Sequence, residues 1–177
     1  MMKDALSIHR LLLERQTPHE IVRLPSHISC ADDLPEVLGL PSFRCLCTRI
    51  YLPYEPGRLY TKQHPLVAVI VTAGSRPAPS VVADALEVPE VRPAPVDLVN
   101  EVTDYAAELV APLLLPAEVT MLVDQRAADV DEVVYTTTGE PWTALGIQAL
   151  DLFALCDAKP TPIPCTSAHG SPRRSDH

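Results

Sequence analysis

Residues 103–124 read TDYAAELVAPLLLPAEVTMLVD, and this stretch decides the fold. It opens polar, passes through an apolar loop broken by Pro112 and Pro116, and ends in apolar residues 119–123 with Asp124 behind them. Proline lacks the N–H that a helix or a ladder needs, so the segment between the two prolines reads as an ordered, non-helical loop. An apolar loop that is not a regular element must pack against something. Residues 119–123 therefore read as a strand in the middle of a sheet, with the loop folded over it.

The sequence around this stretch supplies the rest of the sheet. Residues 66–72, LVAVIVT, are apolar on both faces and predict a central strand covered twice. Residues 43–52 alternate: Phe43, Cys45, Cys47, Arg49 and Tyr51 share one face, and Arg44, Leu46, Thr48, Ile50 and Leu52 the other. Residues 20–24, 132–138 and 144–147 read as further strands, and 88–95 as an extended, proline-rich segment. Residues 54–64 read as a hairpin connection, with Pro56-Gly57 as the turn signal.

Helices fall between these strands. Residues 4–16 carry Ala5, Ile8, Leu11 and Leu12 on one face and stop before Pro18. Residues 32–38 form a short helix capped by Ser29 or Asp32, with Pro35 in its first turn and Gly39 at its end. Residues 80–86 read as a helix with Ser80 as cap and Val81, Val82 and Ala85 inward. Residues 96–102, one turn within 125–130, and 149–155 are also helical. Gly139, Glu140, Pro141 and Trp142 make a turn. From Lys159 onward the chain is proline, serine and charge without an apolar period, which predicts disorder. The domain thus spans residues 1–158, with a tail at 159–177. Strands and short helices mix irregularly, so the class is α+β, a mixed sheet with helices around it.

Composition limits the functions open to such a domain. The 177 residues suit one domain plus a tail, and 47% are hydrophobic. A formal net charge of −9 argues against broad, non-specific nucleic-acid binding. Five cysteines, Cys30, Cys45, Cys47, Cys156 and Cys165, are an odd number without framework spacing and read as free thiols in a reducing cytosol. No signal peptide and no membrane-length apolar run is read, so the expected location is cytoplasmic. Cys45 and Cys47 at i and i+2 lack the partner pair that a zinc site requires. His19 and His27 read as surface histidines. Arg58, Lys62, Arg76 and Arg92 are the candidates for phosphate contact. No glycine-rich phosphate loop, HExxH or GxSxG occurs.

The order of elements over residues 17–155 resembles the YbaK/ProX family of aminoacyl-tRNA editing domains. Thr103-Asp104-Tyr105 stands where that family has TGY, and Ala111-Pro112 and Pro116 where its loop has prolines. Residues 119–124 resemble its strand ending in Asp. Residues 133–139 resemble its strand and glycine turn, and Asp151-Leu152 its closing helix. The resemblance implies a mixed, partly barrel-like sheet and hydrolysis of a wrongly attached amino acid from tRNA. Such editing exists because a pocket discriminates poorly between small amino acids. It implies a cleft between the residue 43–52 strand and the loop, with water attacking the ester, helped by the terminal ribose hydroxyl. Loop amides would polarise the ester carbonyl. No metal, cofactor or covalent intermediate is implied.

Carried onto this chain, the resemblance makes Cys47, Thr48 and Arg49 the catalytic candidates, with Tyr105, Glu108, Thr137 and Gly139 binding substrate. Cys47 occupies the family's lysine position, and the loop glycines read Asp104, Glu108 and Leu109 here. Ala144 stands at a later position that is acidic in the family. The implied partner is the acceptor end of an aminoacyl-tRNA, with a synthetase or a second copy of the chain as further partners, and neither DNA nor a membrane. Two other readings compete. One is a degenerate member that binds an aminoacyl-adenosine-like ligand or a protein without catalysis. The other uses Cys47 as a nucleophile or redox thiol, which requires Arg49 to depress its pKa.

Overall fold

The structure is a computed structural model and describes residues 2–54 and 65–164. The 54–64 connection, with Arg58 and Lys62, lies almost wholly outside the described residues, as do Cys165 and the rest of the tail to 177. Helix α1 spans Ala5–Glu14, and its Asp4 cap accepts from the Ser7 amide at 2.9 Å. Strand β1 (His19–Arg23) follows. A single turn at Ala31–Asp33 runs into α2 (Leu34–Leu38), which Gly39 ends at φ +65°. Then come β2 (Leu46–Tyr54), β3 (Val67–Thr72), α3 (Pro79–Leu86), β4 (Glu90–Pro93) and α4 (Val96–Thr103). The chain closes with β5 (Thr120–Asp124), α5 (Gln125–Ala128), β6 (Val133–Thr137), β7 (Thr143–Gln148), α6 (Ala149–Cys156) and β8 (Lys159–Thr161).

The strands form two sheets. A mixed sheet runs β4-β2-β3-β5-β8, and an antiparallel one runs β1-β7-β6. A bridge between Cys45 and Tyr135 joins them, and the Thr136 hydroxyl donates to the Leu46 carbonyl across the same seam at 3.1 Å. β3 sits at the centre, antiparallel to β2 and parallel to β5. Its alternate side chains enter two different cores, as the unbroken apolar run requires. Val69 and Val71 join Cys47, Tyr51, Val82 and Leu34, whereas Ile70 joins Leu46, Val110, Leu113, Val123 and Leu152. Each fully buried aliphatic side chain contributes about 2 kcal/mol.

The deciding stretch folds as its prolines require. Residues 109–113 are buried, and Val110, Ala111 and Leu113 share a core with Val123 and Ile70. β5 is flanked on both sides, but its outer neighbour is β8, which pairs in parallel with it through Lys159, Pro160 and Thr161. The tail is therefore ordered to residue 164, with Ile163 buried, and the expectation of disorder from Lys159 fails over that span. Pro160 within it and Pro162 just after it hid a strand that needs few N–H donors at a sheet edge.

Two caps also differ from expectation. Asp33, not Ser29 or Asp32, closes the turn before α2, accepting from the Ser29 amide at 2.8 Å and the Cys30 amide at 3.3 Å. α3 starts a residue early, at Pro79, with Ala78 as a cap that offers no side-chain bond, and Ala83 rather than Ala85 faces inward with Val82. Proline at the first helical position has no N–H to satisfy, so a polar cap is dispensable there.

Candidate active site

β2 is paired with β3 from Leu46 to Tyr51 and with β4 only from Tyr51 onward. The pairing alternates. The Cys45 carbonyl accepts from the Ala73 amide, so Cys45, Cys47 and Arg49 direct their main-chain groups toward β3. Leu46, Thr48 and Ile50 direct theirs to the other edge. There the Leu46 carbonyl is taken by Thr136 and the Ile50 carbonyl by the Ala94 amide at 3.0 Å. The edge at Thr48 faces a gap between β6 and β4.

A hollow of about 370 Å³ opens beside this part of β2. Its walls are Cys47–Tyr51, Arg76–Pro79, Pro93, Ala94, Val96 and Val99, with Ala107 and Glu108. Cys47, Thr48, Arg49 and Glu108 thus line one hollow. Tyr105, Thr137 and Gly139 do not reach the hollow. They stand behind it and fix the loop. Buried Tyr105 donates its hydroxyl to the Leu113 carbonyl at 2.7 Å, and Thr137 donates to the Val110 carbonyl at 2.9 Å. Gly139 has φ +94°, and a Cβ there would meet the Lys3 carbonyl at 2.5 Å and the Tyr105 ring at 2.9 Å. Lys3 Nζ in turn donates to the carbonyls of Thr103, at 2.8 Å, and Leu114.

The loop meets this hollow through the turn Ala107–Leu109, not through the segment between the prolines. Residues 112–116 line a larger hollow of about 590 Å³ with Leu11, Arg15 and Leu155. That hollow holds none of Cys47, Thr48 or Arg49, so the smaller one is the candidate site. The replaced loop glycines matter less than their chemistry suggests. Asp104 adopts φ +58° and ends α4 as a glycine would, a conformation that Asp tolerates. Neither Glu108 nor Leu109 is among the residues of positive φ.

Electrostatics centre on Asp32, which sequence reading assigned to a cap. It accepts from Arg49 at 2.7 and 3.1 Å, from Arg76 at 2.8 Å and from the Gly74 amide at 2.8 Å. Burial pushes its carboxyl up, but the bonds from Arg49 and Gly74 prevail and bring it down to about 2. Arg49 is 12% exposed and is also held by the Ser75 carbonyl at 2.9 Å, so its guanidinium is fully engaged. Arg76, 65% exposed, is the cation at the mouth. Two guanidiniums thus meet one carboxylate here, and Glu108 brings a second carboxylate to the same hollow. Arg92 instead pairs with Glu90 and stacks on Tyr54.

The Cys47 thiol is buried and donates to Asp32 at 3.4 Å. Burial drives its pKa well above the ordinary range, and the opposing pull of Arg49 is smaller. This is the reverse of what the nucleophile and redox reading needs. Cys30, Cys45, Cys47 and Cys156 are all free thiols, and Cys45 and Cys156 are pushed up to about 11 and about 12 by burial. His19 bonds to His9 at 2.8 Å and His27 stacks against Trp142, both away from the hollow. Among the described residues no group of three or more His, Cys, Asp or Glu is placed to hold a metal ion. Among them, too, no helix is long and apolar enough to cross a membrane.

The fold recurs in solved structures. A hypothetical protein, APE2540, superposes with a TM-score of 0.74 at 18% identity, covering 88% of this chain and 97% of its own. A protein described as a candidate trans-editing enzyme for prolyl tRNA synthetase gives 0.71 at 16% identity, with 88% and 93% covered. A candidate signal transduction protein from Marinobacter aquaeolei VT8 gives 0.59 at 16% identity, with 88% of this chain but 30% of that one covered. No curated protein matches the sequence. The sequence pattern of the aminoacyl-tRNA editing domain matches residues 29–155, which takes in β2, the hollow and the whole of the deciding loop. The chain belongs to the aminoacyl-tRNA editing domain family.

Proposed function

We propose that this chain is a trans-acting aminoacyl-tRNA deacylase that hydrolyses the ester of a mischarged tRNA in the hollow beside β2. The observation that carries the reading is the meeting of Cys47–Tyr51 with Ala107 and Glu108 around one open space, within the span that matches the family. Pro77, Pro79, Val96 and Val99 offer an apolar seat for the terminal adenosine. Arg76 at the mouth attracts the phosphate behind it. Arg49 and Asp32 are positioning residues that hold β2 against the Gly74–Arg76 turn. Cys47 stays a thiol, so water is the attacking group, with the neighbouring ribose hydroxyl assisting. The partner is the acceptor end of an aminoacyl-tRNA in the cytoplasm, and association with a synthetase would deliver it.

The test is a panel of mischarged tRNAs, each followed for amino-acid release. The reading expects at least one to be hydrolysed faster than in buffer. Binding of an aminoacyl-adenosine analogue with no hydrolysis anywhere in the panel would favour the non-catalytic alternative.

A further inference from the structure

Among the described residues, Thr48 carries the one buried side-chain oxygen or nitrogen without a hydrogen-bond partner, its hydroxyl. The residue is 8% exposed. Its main-chain N–H and C=O point away from β3, into the gap left where β4 pairing stops at Tyr51 and the β6 bridge stops at Cys45. A buried hydroxyl left unpaired costs stability, and an open strand edge offers a donor and an acceptor side by side. Thr48 and Glu108 both line the hollow, and Glu108 is exposed.

We infer that Thr48 is the recognition point for the α-amino and carbonyl groups of the bound aminoacyl ester. This rests on the deacylase reading and deepens it. The Thr48 N–H donates to the ester carbonyl oxygen, and its C=O accepts from the α-ammonium, as one strand residue pairs with another. A rotation about χ1 exchanges methyl and hydroxyl, which turns the oxygen toward the same ammonium and ends its isolation. Glu108 neutralises the ammonium's charge, which explains a carboxylate at a site otherwise suited to a phosphate-linked ligand. Recognition is then of the unit common to all aminoacyl groups, and it requires a free α-amino group.

The probe is 3′-alanylamino-3′-deoxyadenosine, an amide-linked analogue that cannot be hydrolysed, together with its N-acetyl derivative. In 15N-labelled protein the Thr48 amide should shift downfield on titration, along with Ala107 and Glu108. The N-acetyl derivative should bind about tenfold more weakly or worse, as loss of a hydrogen bond to a charged group implies. Thr48→Val should raise the melting temperature of the free protein while weakening the analogue. A variant that merely repacked the core would not move the two in opposite directions. Shifts at Ala107 and Glu108 with none at Thr48, or equal binding of the N-acetyl form, would overturn the inference and leave the deacylase site standing. No shift anywhere around the hollow would overturn both.

Discussion

Asp32 holds together four groups from two segments, and this makes it the side chain on which the site most depends. Replacing it by alanine strands Arg49 in a largely buried position, and the expected loss is about 3 kcal/mol of unfolding free energy in a denaturant titration. Its pH signature follows from its folded pKa of about 2, below the ordinary 3.8. A depressed carboxylate contributes stability above its unfolded value and loses it as pH falls through the folded one. Stability should thus drop between about pH 4 and pH 2 in the wild type, and Asp32→Asn should flatten that part of the curve. Cys47 gives a second expectation at this scale. Its thiol should react with iodoacetamide more slowly than free cysteine, and Cys47→Ser should not cause the loss of orders of magnitude that removing a nucleophile brings. These roles were only half legible. Two Cys and an Arg alternating on one strand face were plain, but Asp32 passed for a helix cap because its neighbour Asp33 satisfies that pattern as well.

At the scale of elements, the loop after α4 is held by contacts from the far ends of the chain. Tyr105, Thr137, Gly139 and Lys3 all bear on it, and Leu114 sits at φ +60°, a strained value for leucine. Gly139→Ala should cost at least about 2 kcal/mol, since it adds a left-handed backbone penalty to contact with the Tyr105 ring. Tyr105→Phe removes one buried hydrogen bond and should cost about 1–2 kcal/mol, measurable by thermal unfolding. The strands and most helices were legible because period and punctuation fix them locally. The distinction between lining a hollow and propping up its wall was not. It depends on which face of a loop turns inward, and Tyr105 and Glu108, three residues apart, end in opposite environments. β8 escaped notice for a simpler reason: three residues at an edge have no period to read.

For the whole molecule, two sheets meeting at the Cys45–Tyr135 bridge leave Thr48 at a break in strand pairing, and the fold spends that break on a hollow. The central claim is that a mischarged tRNA is hydrolysed there. Ala107 lines the hollow together with Cys47–Tyr51, so Ala107→Trp should fill the space. The decisive measurement is amino-acid release from the panel of mischarged tRNAs by wild type and by this variant at equal concentration. The account predicts release above the buffer rate for at least one tRNA with the wild type, and release at the buffer rate with the filled site. Release by the Ala107→Trp protein at the wild-type rate would contradict it.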